Sequence, residues 1–177
     1  MADLTDVMVD LETMGTEPGC PIVAIGAVLF NPKTDEIGDT FYSLIELESC
    51  IDAGMKVCAD TIKWWFRQSD AVRGQVCNPS LDRVDLRTAL IDFSVWLPSD
   101  KCRIWGNGSD FDNVILEAAY KMNGMNAPWP FWNNRCYRTI KNLKPSIELV
   151  RQGTHHNALD DAISQAKHMQ MILGNRK

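Results

Sequence analysis

The sequence predicts an α/β fold built on a mixed sheet, and three observations carry that reading. Three strand-like segments follow one another within the first 47 residues. The middle one, PIVAIGAVLF at 21–30, is apolar almost throughout, as a central strand buried on both faces should be. Beyond it, helical periodicity dominates and is interrupted by one short strand. Strands first, then helices mixed with strands, indicate an α/β sheet with antiparallel and parallel pairs. The 177 residues suit one compact domain over 1–177, with no repeat, low-complexity tract or linker.

Taken in order, VMVDL at 7–11 is a short apolar strand that ends in an acid, and TFYSLIEL at 40–47 alternates as the third strand. With 21–30 these form an antiparallel meander. Residues 12–20 contain Gly15, Pro18 and Gly19 and read as a loop, as does NPKTDEIGD at 31–39. ADTIKWWFRQ at 59–68 is helical with Asp60 as its N-cap. LDRVDLRTALIDFSVWL at 81–97 sets Val84, Leu86, Leu90, Ile91, Phe93, Trp96 and Leu97 mostly on one helical face. CRIWGN at 102–107 is a strand, and DFDNVILEAAYKM at 110–122 a helix with Val114, Ile115, Ala118 and Ala119 inward. The aromatic stretch 127–138 supports no assignment. RTIKNLK at 138–144 is a short helix, and HNALDDAISQAKHMQMIL at 156–173 an amphipathic one with Ala158, Ala162, Ala166, Met169 and Ile172 inward.

Composition narrows the function. The net charge of −5 argues against a broad basic surface for nucleic acid, although a polyanion can still be gripped through cations in an acidic cleft. No run of eighteen apolar residues is present, so no membrane span is expected. The N-terminus lacks the pattern of a signal peptide, which makes the cytoplasm the default location. Six scattered cysteines with no CxxC pair read as free thiols rather than a zinc ribbon.

Chemistry concentrates in three places. Asp10 and Glu12, two apart in a strand, point to one face and repel each other unless a cation lies between them; the competing reading is a solvated strand end. In WGNGSDFDNVIL at 105–116, Asp110 is placed to cap the helix and Asp112 to sit in its first turn. In the last helix Asp161 shares the inward face with Ala158 and Ala162, while Asp160 points outward. An inward acid without a basic partner nearby in sequence calls for a metal. His156 at the helix start can lean over the same pocket, whereas His155 and His168 read as ordinary satisfied histidines. Carboxylate oxygens suit Mg²⁺ or Mn²⁺, and two such ions can clamp an in-line phosphoryl displacement while an imidazole takes a proton from the attacking water.

These three blocks resemble the DEDD exonuclease superfamily, specifically its DEDDh branch (DnaQ-like, with the ribonuclease H-like fold). DLET at 10–13 is similar to its first motif, GNGSDFDNVIL at 106–116 to its second in a spacing that selects Asp112, and HNALDDA at 156–162 to its third, H-x-A-x-x-D-A. The two alanines fix the register that pairs His156 with Asp161. KWWFRQS at 63–69 and FWNNRCYRTIK at 131–141 are similar to the phage DexA, exonuclease VIII-like and Rv2179c-like group. There is no HNA-x-FD run and the second motif is one residue longer than in polymerase proofreading subunits, so a stand-alone exonuclease fits better.

The resemblance implies a 3′→5′ exonuclease that releases nucleoside 5′-monophosphates from single-stranded 3′ ends, DNA favoured over RNA. Asp10, Glu12, Asp112 and Asp161 would hold two Mg²⁺ or Mn²⁺ ions, with His156 as general base. Thr13 and Met14 would meet the terminal nucleotide, Met14 either as a wedge or as core. Adjacent Trp64 and Trp65 cannot share a helix face; Trp65 is the expected base-stacking residue. Arg135 and Arg138 are candidates for phosphate contacts or for capping carbonyls, and Asn107 for the scissile region or a loop hydrogen bond. Small exonucleases of this kind often pair, so a homodimer is among the implications. The competing functions are an exoribonuclease or oligoribonuclease, and a non-catalytic nucleic-acid-binding module of the same fold.

Overall fold

In a computed structural model, residues 4–108 and 110–174 are described. Strand β1 (Asp6–Thr13), β2 (Ile22–Phe30) and β3 (Ile37–Leu44) form the expected meander. β4 (Arg103–Gly106) and β5 (Asn134–Cys136) extend it on the other side. The order across the sheet is β3-β2-β1-β4-β5, antiparallel at β3-β2-β1 and parallel at β1-β4-β5. This is a mixed sheet, as the sequence predicts. Every residue of β2 is buried, as its unbroken apolar run requires.

Seven helices flank the sheet: α1 (Leu47–Asp52), α2 (Ala59–Phe66), α3 (Asp70–Cys77), α4 (Leu86–Trp96), α5 (Asp112–Met122), α6 (Tyr137–Leu143) and α7 (Ala158–Leu173). One core layer joins β-strand residues such as Val7, Val9 and Ile25 to α4 and α5 through Leu90, Phe93, Ile115 and Leu116. The opposite face packs Met8, Val28 and Phe30 on Tyr137 and on the Ala162, Ala166 and Met169 stripe of α7. Small residues on that stripe let α7 lie close against β2 and β1. The six cysteines are free, and no helix among the described residues is long and apolar enough to cross a membrane.

Several boundaries differ from expectation. β1 runs through Glu12 and Thr13, which the sequence assigns to a loop, because both pair with β2. β3 is displaced to 37–44, and its expected end begins α1 instead. Asp60 lies inside the first turn of α2; its N-cap position is Cys58. α4 is shorter than 81–97 because Asp85 caps it, accepting the Thr88 N–H at 3.0 Å, and Ile91 faces solvent. Asp110 caps nothing, since α5 starts at Asp112. The buried face of α5 is rotated to Asp112, Ile115, Leu116, Ala119 and Tyr120, leaving Val114 and Ala118 half-buried. The last helix starts at Ala158, where Asn157 caps it by accepting the Leu159 and Asp160 N–H groups. The unassigned aromatic stretch supplies a short 3₁₀ turn, Phe131–Asn133, and then β5.

Candidate active site

Two close approaches assemble the site. Gly26 of β2 sits opposite Asp10 of β1. A Cβ on Gly26 would lie 2.1 Å from the Ala158 carbonyl carbon and 2.2 Å from the Leu159 nitrogen. Only a residue without a side chain lets the start of α7, and with it Asp161, land beside Asp10. Gly106 does the same at the end of β4, where a Cβ would lie 2.3 Å from Asn113 Oδ1 and 2.9 Å from Asp112 Cβ. The first turn of α5 is thereby brought against β1.

Four carboxyl groups converge there. Carboxylate oxygens of Asp10, Glu12 and Asp161 lie within 4.8 Å of one another. Asp112 is held from both sides: Oδ1 accepts the Leu11 N–H at 3.2 Å and Oδ2 the Asn107 N–H at 2.7 Å. Gln165, one turn beyond Asp161, donates to Asp10 Oδ1 at 2.7 Å. Burial pushes the Glu12 carboxyl up to about 8, with the Asp161 and Asp112 charges adding to it. Burial likewise raises Asp112 to about 6, and raises Asp10 well above the carboxylate range with the charges of Asp112, Glu12 and Asp161 adding to it. A set of hard oxygens that resists ionisation when left to itself fits a divalent cation, which would relieve both the mutual repulsion and the burial.

His156 stands before α7 rather than in it, with φ at +64°, a left-handed backbone uncommon outside glycine. That turn aims the His156 N–H at Asp161 Oδ2, 2.9 Å away. The imidazole stacks on His155 with centroids 3.8 Å apart and meets the Trp64 ring edge-on at 4.9 Å. Burial, and then the neighbouring His155, lower its pKa below the usual histidine value. The side chain is therefore biased to the neutral, proton-accepting form at neutral pH.

The cleft above these groups has a volume of about 610 Å³, and its walls include Thr13, Trp64, Asn107, Lys141 and Arg151. Trp64 and Trp65 are the reverse of expectation. Trp65 is 5% exposed and its indole N–H donates to Thr13 O at 2.9 Å, whereas Trp64 is 38% exposed and borders the cleft beside His156. Met14 is buried in a small cluster with Val23, Trp65 and Val76, so it is core rather than a wedge. Arg135 donates to the Trp132 and Asn134 carbonyls and Arg138 to the Asn107 carbonyl, the capping reading for both. Asn107 borders the cleft, and its side-chain oxygen is buried without a hydrogen-bond partner among the described residues. His168 is a satisfied core histidine, bonded to Tyr137 Oη at 2.5 Å and Ile147 O at 2.8 Å.

The sequence reading misses two residues. Gln165 lies four positions after Asp161, so helical spacing alone places it on the same face. Arg151 donates to Asp161 Oδ1 at 2.6 Å, correcting the expectation that Asp161 has no basic partner nearby. It reaches Asp161 from an irregular segment that carries no periodic signal.

Comparison with known proteins bears on the family and the fold. The 3′-5′ exoribonuclease Rv2179c-like domain family matches residues 5–173. Among curated proteins, none matches the sequence. The nuclease domain of 3′hExo, a DEDDh family member bound to rAMP, superposes with a TM-score of 0.59 at 19% identity, over 95% of this chain and 90% of that one. E. coli Exonuclease I in complex with a dT13 oligonucleotide gives a TM-score of 0.65 at 13% identity, over 96% of this chain and 41% of that one. A 3′-exonuclease recognising the histone mRNA stem-loop gives 0.54 at 18% identity, over 95% and 63%. At these identities the likeness is one of fold, and it is the fold of DEDDh exonucleases. With the family match running from β1 to the end of α7, the chain belongs to the Rv2179c-like 3′-5′ exoribonuclease domain family.

Proposed function

We propose that the chain hydrolyses single-stranded nucleic acid from its 3′ end, releasing nucleoside 5′-monophosphates, with two divalent ions, Mg²⁺ or Mn²⁺, held by Asp10, Glu12, Asp112 and Asp161. The observation that carries this is the convergence of carboxylates from β1, α5 and α7 in one cleft, with three of them raised in pKa by burial. Bound there, such ions supply positive charge to the attacking and leaving oxygens of an in-line displacement. The chain's own groups do the rest. His156, kept neutral by burial and by His155, takes the proton of the attacking water, and its backbone N–H keeps Asp161 in register. Trp64 offers the exposed ring on which the terminal base stacks, beside the imidazole. Thr13, its hydroxyl tied to Gly15 O at 2.6 Å, borders the sugar side of the cleft.

DNA is the substrate we favour, on the resemblance to the phage DexA group. RNA is the second reading, favoured by the family's description as exoribonucleases. Labelled single-stranded DNA, RNA, duplex DNA and dinucleotides, each incubated with Mg²⁺, Mn²⁺ or EDTA, decide between them. Asp161→Ala should abolish hydrolysis. His156→Ala should lower the rate by roughly 10²–10⁴. Equal hydrolysis in EDTA and in Mg²⁺ sinks the proposal. Light scattering on the same cytoplasmically expressed preparation reads the homodimer that the resemblance implies.

A further inference from the structure

Among the described residues, the ion pair to the carboxylate cluster comes from Arg151, whose side chain is 48% exposed. Its backbone is far less free than its side chain. The segment between α6 and α7 is stapled along α7 on both sides of Arg151. His168 Nε2 donates to Ile147 O at 2.8 Å, which leaves Nδ1 to accept from the Tyr137 hydroxyl. The Gln152 N–H donates to Ser164 Oγ at 2.8 Å, Lys167 Nζ donates to Gln152 Oε1 at 2.5 Å, and the Thr154 N–H donates to Asp160 Oδ2 at 2.7 Å. A fixed strap thus delivers a flexible, forked cation to the rim of the cleft.

That cation occupies an oxygen of a proposed metal ligand. A guanidinium and a divalent ion cannot share Asp161 Oδ1 without repelling each other. A phosphodiester entering the cleft meets four carboxyl groups and needs positive charge from the walls. Arg151 and Lys141 are the lysine and arginine side chains that border the cleft, and the guanidinium fork matches two phosphate oxygens as an ammonium does not.

We propose that Arg151 is a placeholder cation: it neutralises Asp161 in the metal-free protein, releases it when a divalent ion binds, and then holds a phosphate of the substrate's 3′-terminal nucleotide. This rests on the exonuclease reading of the site. Arg151 is here a substrate-positioning residue, and the two halves of its role carry opposite signs on substitution.

The test uses the whole chain. Mn²⁺ binding is titrated calorimetrically without nucleic acid for wild type, Arg151→Gln and Arg151→Lys. Binding of a 5′-labelled single-stranded oligonucleotide is then measured by anisotropy in a His156→Ala background with Mg²⁺. Arg151→Gln should bind Mn²⁺ roughly two- to fivefold more tightly, the worth of a half-exposed ion pair. It should bind the oligonucleotide roughly tenfold more weakly, the worth of a charge-assisted hydrogen bond. Arg151→Lys keeps the charge and loses the fork, so its Mn²⁺ affinity should stay near wild type while oligonucleotide binding falls. Unchanged or weaker Mn²⁺ binding in Arg151→Gln overturns the placeholder role, and unchanged oligonucleotide binding overturns the phosphate role. Should Arg151→Gln not fold, Arg151→Lys decides alone: wild-type oligonucleotide affinity there sinks the proposal. Wild-type protein that hydrolyses nothing would sink the exonuclease reading while leaving the Mn²⁺ comparison readable, so the two failures are distinct.

Discussion

Without a divalent cation the protein should lose stability as pH rises, which is the reverse of ordinary acid denaturation. Glu12 carries the effect most clearly, its carboxyl raised from 4.5 to about 8 in the folded protein. A raised carboxyl binds its proton more tightly folded than unfolded, so its stabilisation is complete below the unfolded value and is lost as pH climbs through the folded one. His156 works in the opposite direction but only below its usual value of 6.5, so a window above that leaves the raised carboxyl groups, Asp10 acting in the same direction as Glu12. Between about pH 6.5 and about pH 8.5, linkage for Glu12 alone amounts to on the order of 2 kcal/mol. For a chain of this length that is a fall of about 4–8 °C in melting temperature. The assay is calorimetric melting of EDTA-treated protein at several pH values, with and without saturating Mn²⁺. Mn²⁺ should remove the slope, because a cation stabilises the ionised form that high pH produces. Glu12→Gln should reduce it without metal. A melting temperature that stays level or rises across the window in EDTA refutes the claim that these carboxyl groups are mutually destabilising.

Other outcomes follow from single contacts. Trp64→Ala should weaken single-stranded oligonucleotide binding by about 1–3 kcal/mol with little change in melting temperature, the stacking worth of one exposed ring; an equal loss from Trp65→Ala at unchanged stability would reassign the contact. Gly26→Ala should destabilise by about 3 kcal/mol or more and weaken Mn²⁺ binding, since its Cβ would lie 2.1 Å from α7 backbone that cannot yield without moving Asp161; urea melts and calorimetry read both. Asp6, at the far end of β1, is buried and accepts from Arg103 Nε and Trp105 Nε1, each at 2.8 Å. Asp6→Ala should cost about 1–3 kcal/mol in urea unfolding, chiefly by orphaning the Trp105 N–H, while leaving Mn²⁺ affinity unchanged.

What the sequence disclosed, and what it withheld, divides along one physical line. Periodicity reports which face of an element is buried, so the meander, the alanine stripe of α7 and the inward turn of Asp161 were all legible. The motifs pointed to acids that the fold brings together because each sits in a regular element, where register is fixed. Adjacent residues are another matter: Trp64 and Trp65 differ only by the rotation of a short helix, and a turn of about 100° about its axis exchanges the buried ring for the exposed one. The same rotation misassigned the inner stripe of α5, because Asp112 and Asn113 are buried polar groups that a hydrophobicity pattern counts as outward. Arg151 lay beyond reach for a different reason, since its position is set by hydrogen bonds from an irregular strap to α7 and not by any repeat.

The least conspicuous residues turn out to govern the geometry. Asp10 and Asp161 are separated by most of the chain, and what lets them meet is the missing side chain of Gly26 directly opposite Asp10. Gly106 plays that part for Asp112. In the proposed reaction the acids supply the chemistry, but a carboxylate cluster costs stability unless something positive fills it, and the fold meets that cost in two ways. Backbone N–H groups hold Asp112 from both sides and the His156 N–H holds Asp161, while Arg151 supplies a removable charge to Asp161. A site balanced in this way holds its acids in register and leaves Asp10, Glu12 and Asp161 close enough together for a divalent cation to be favoured among them.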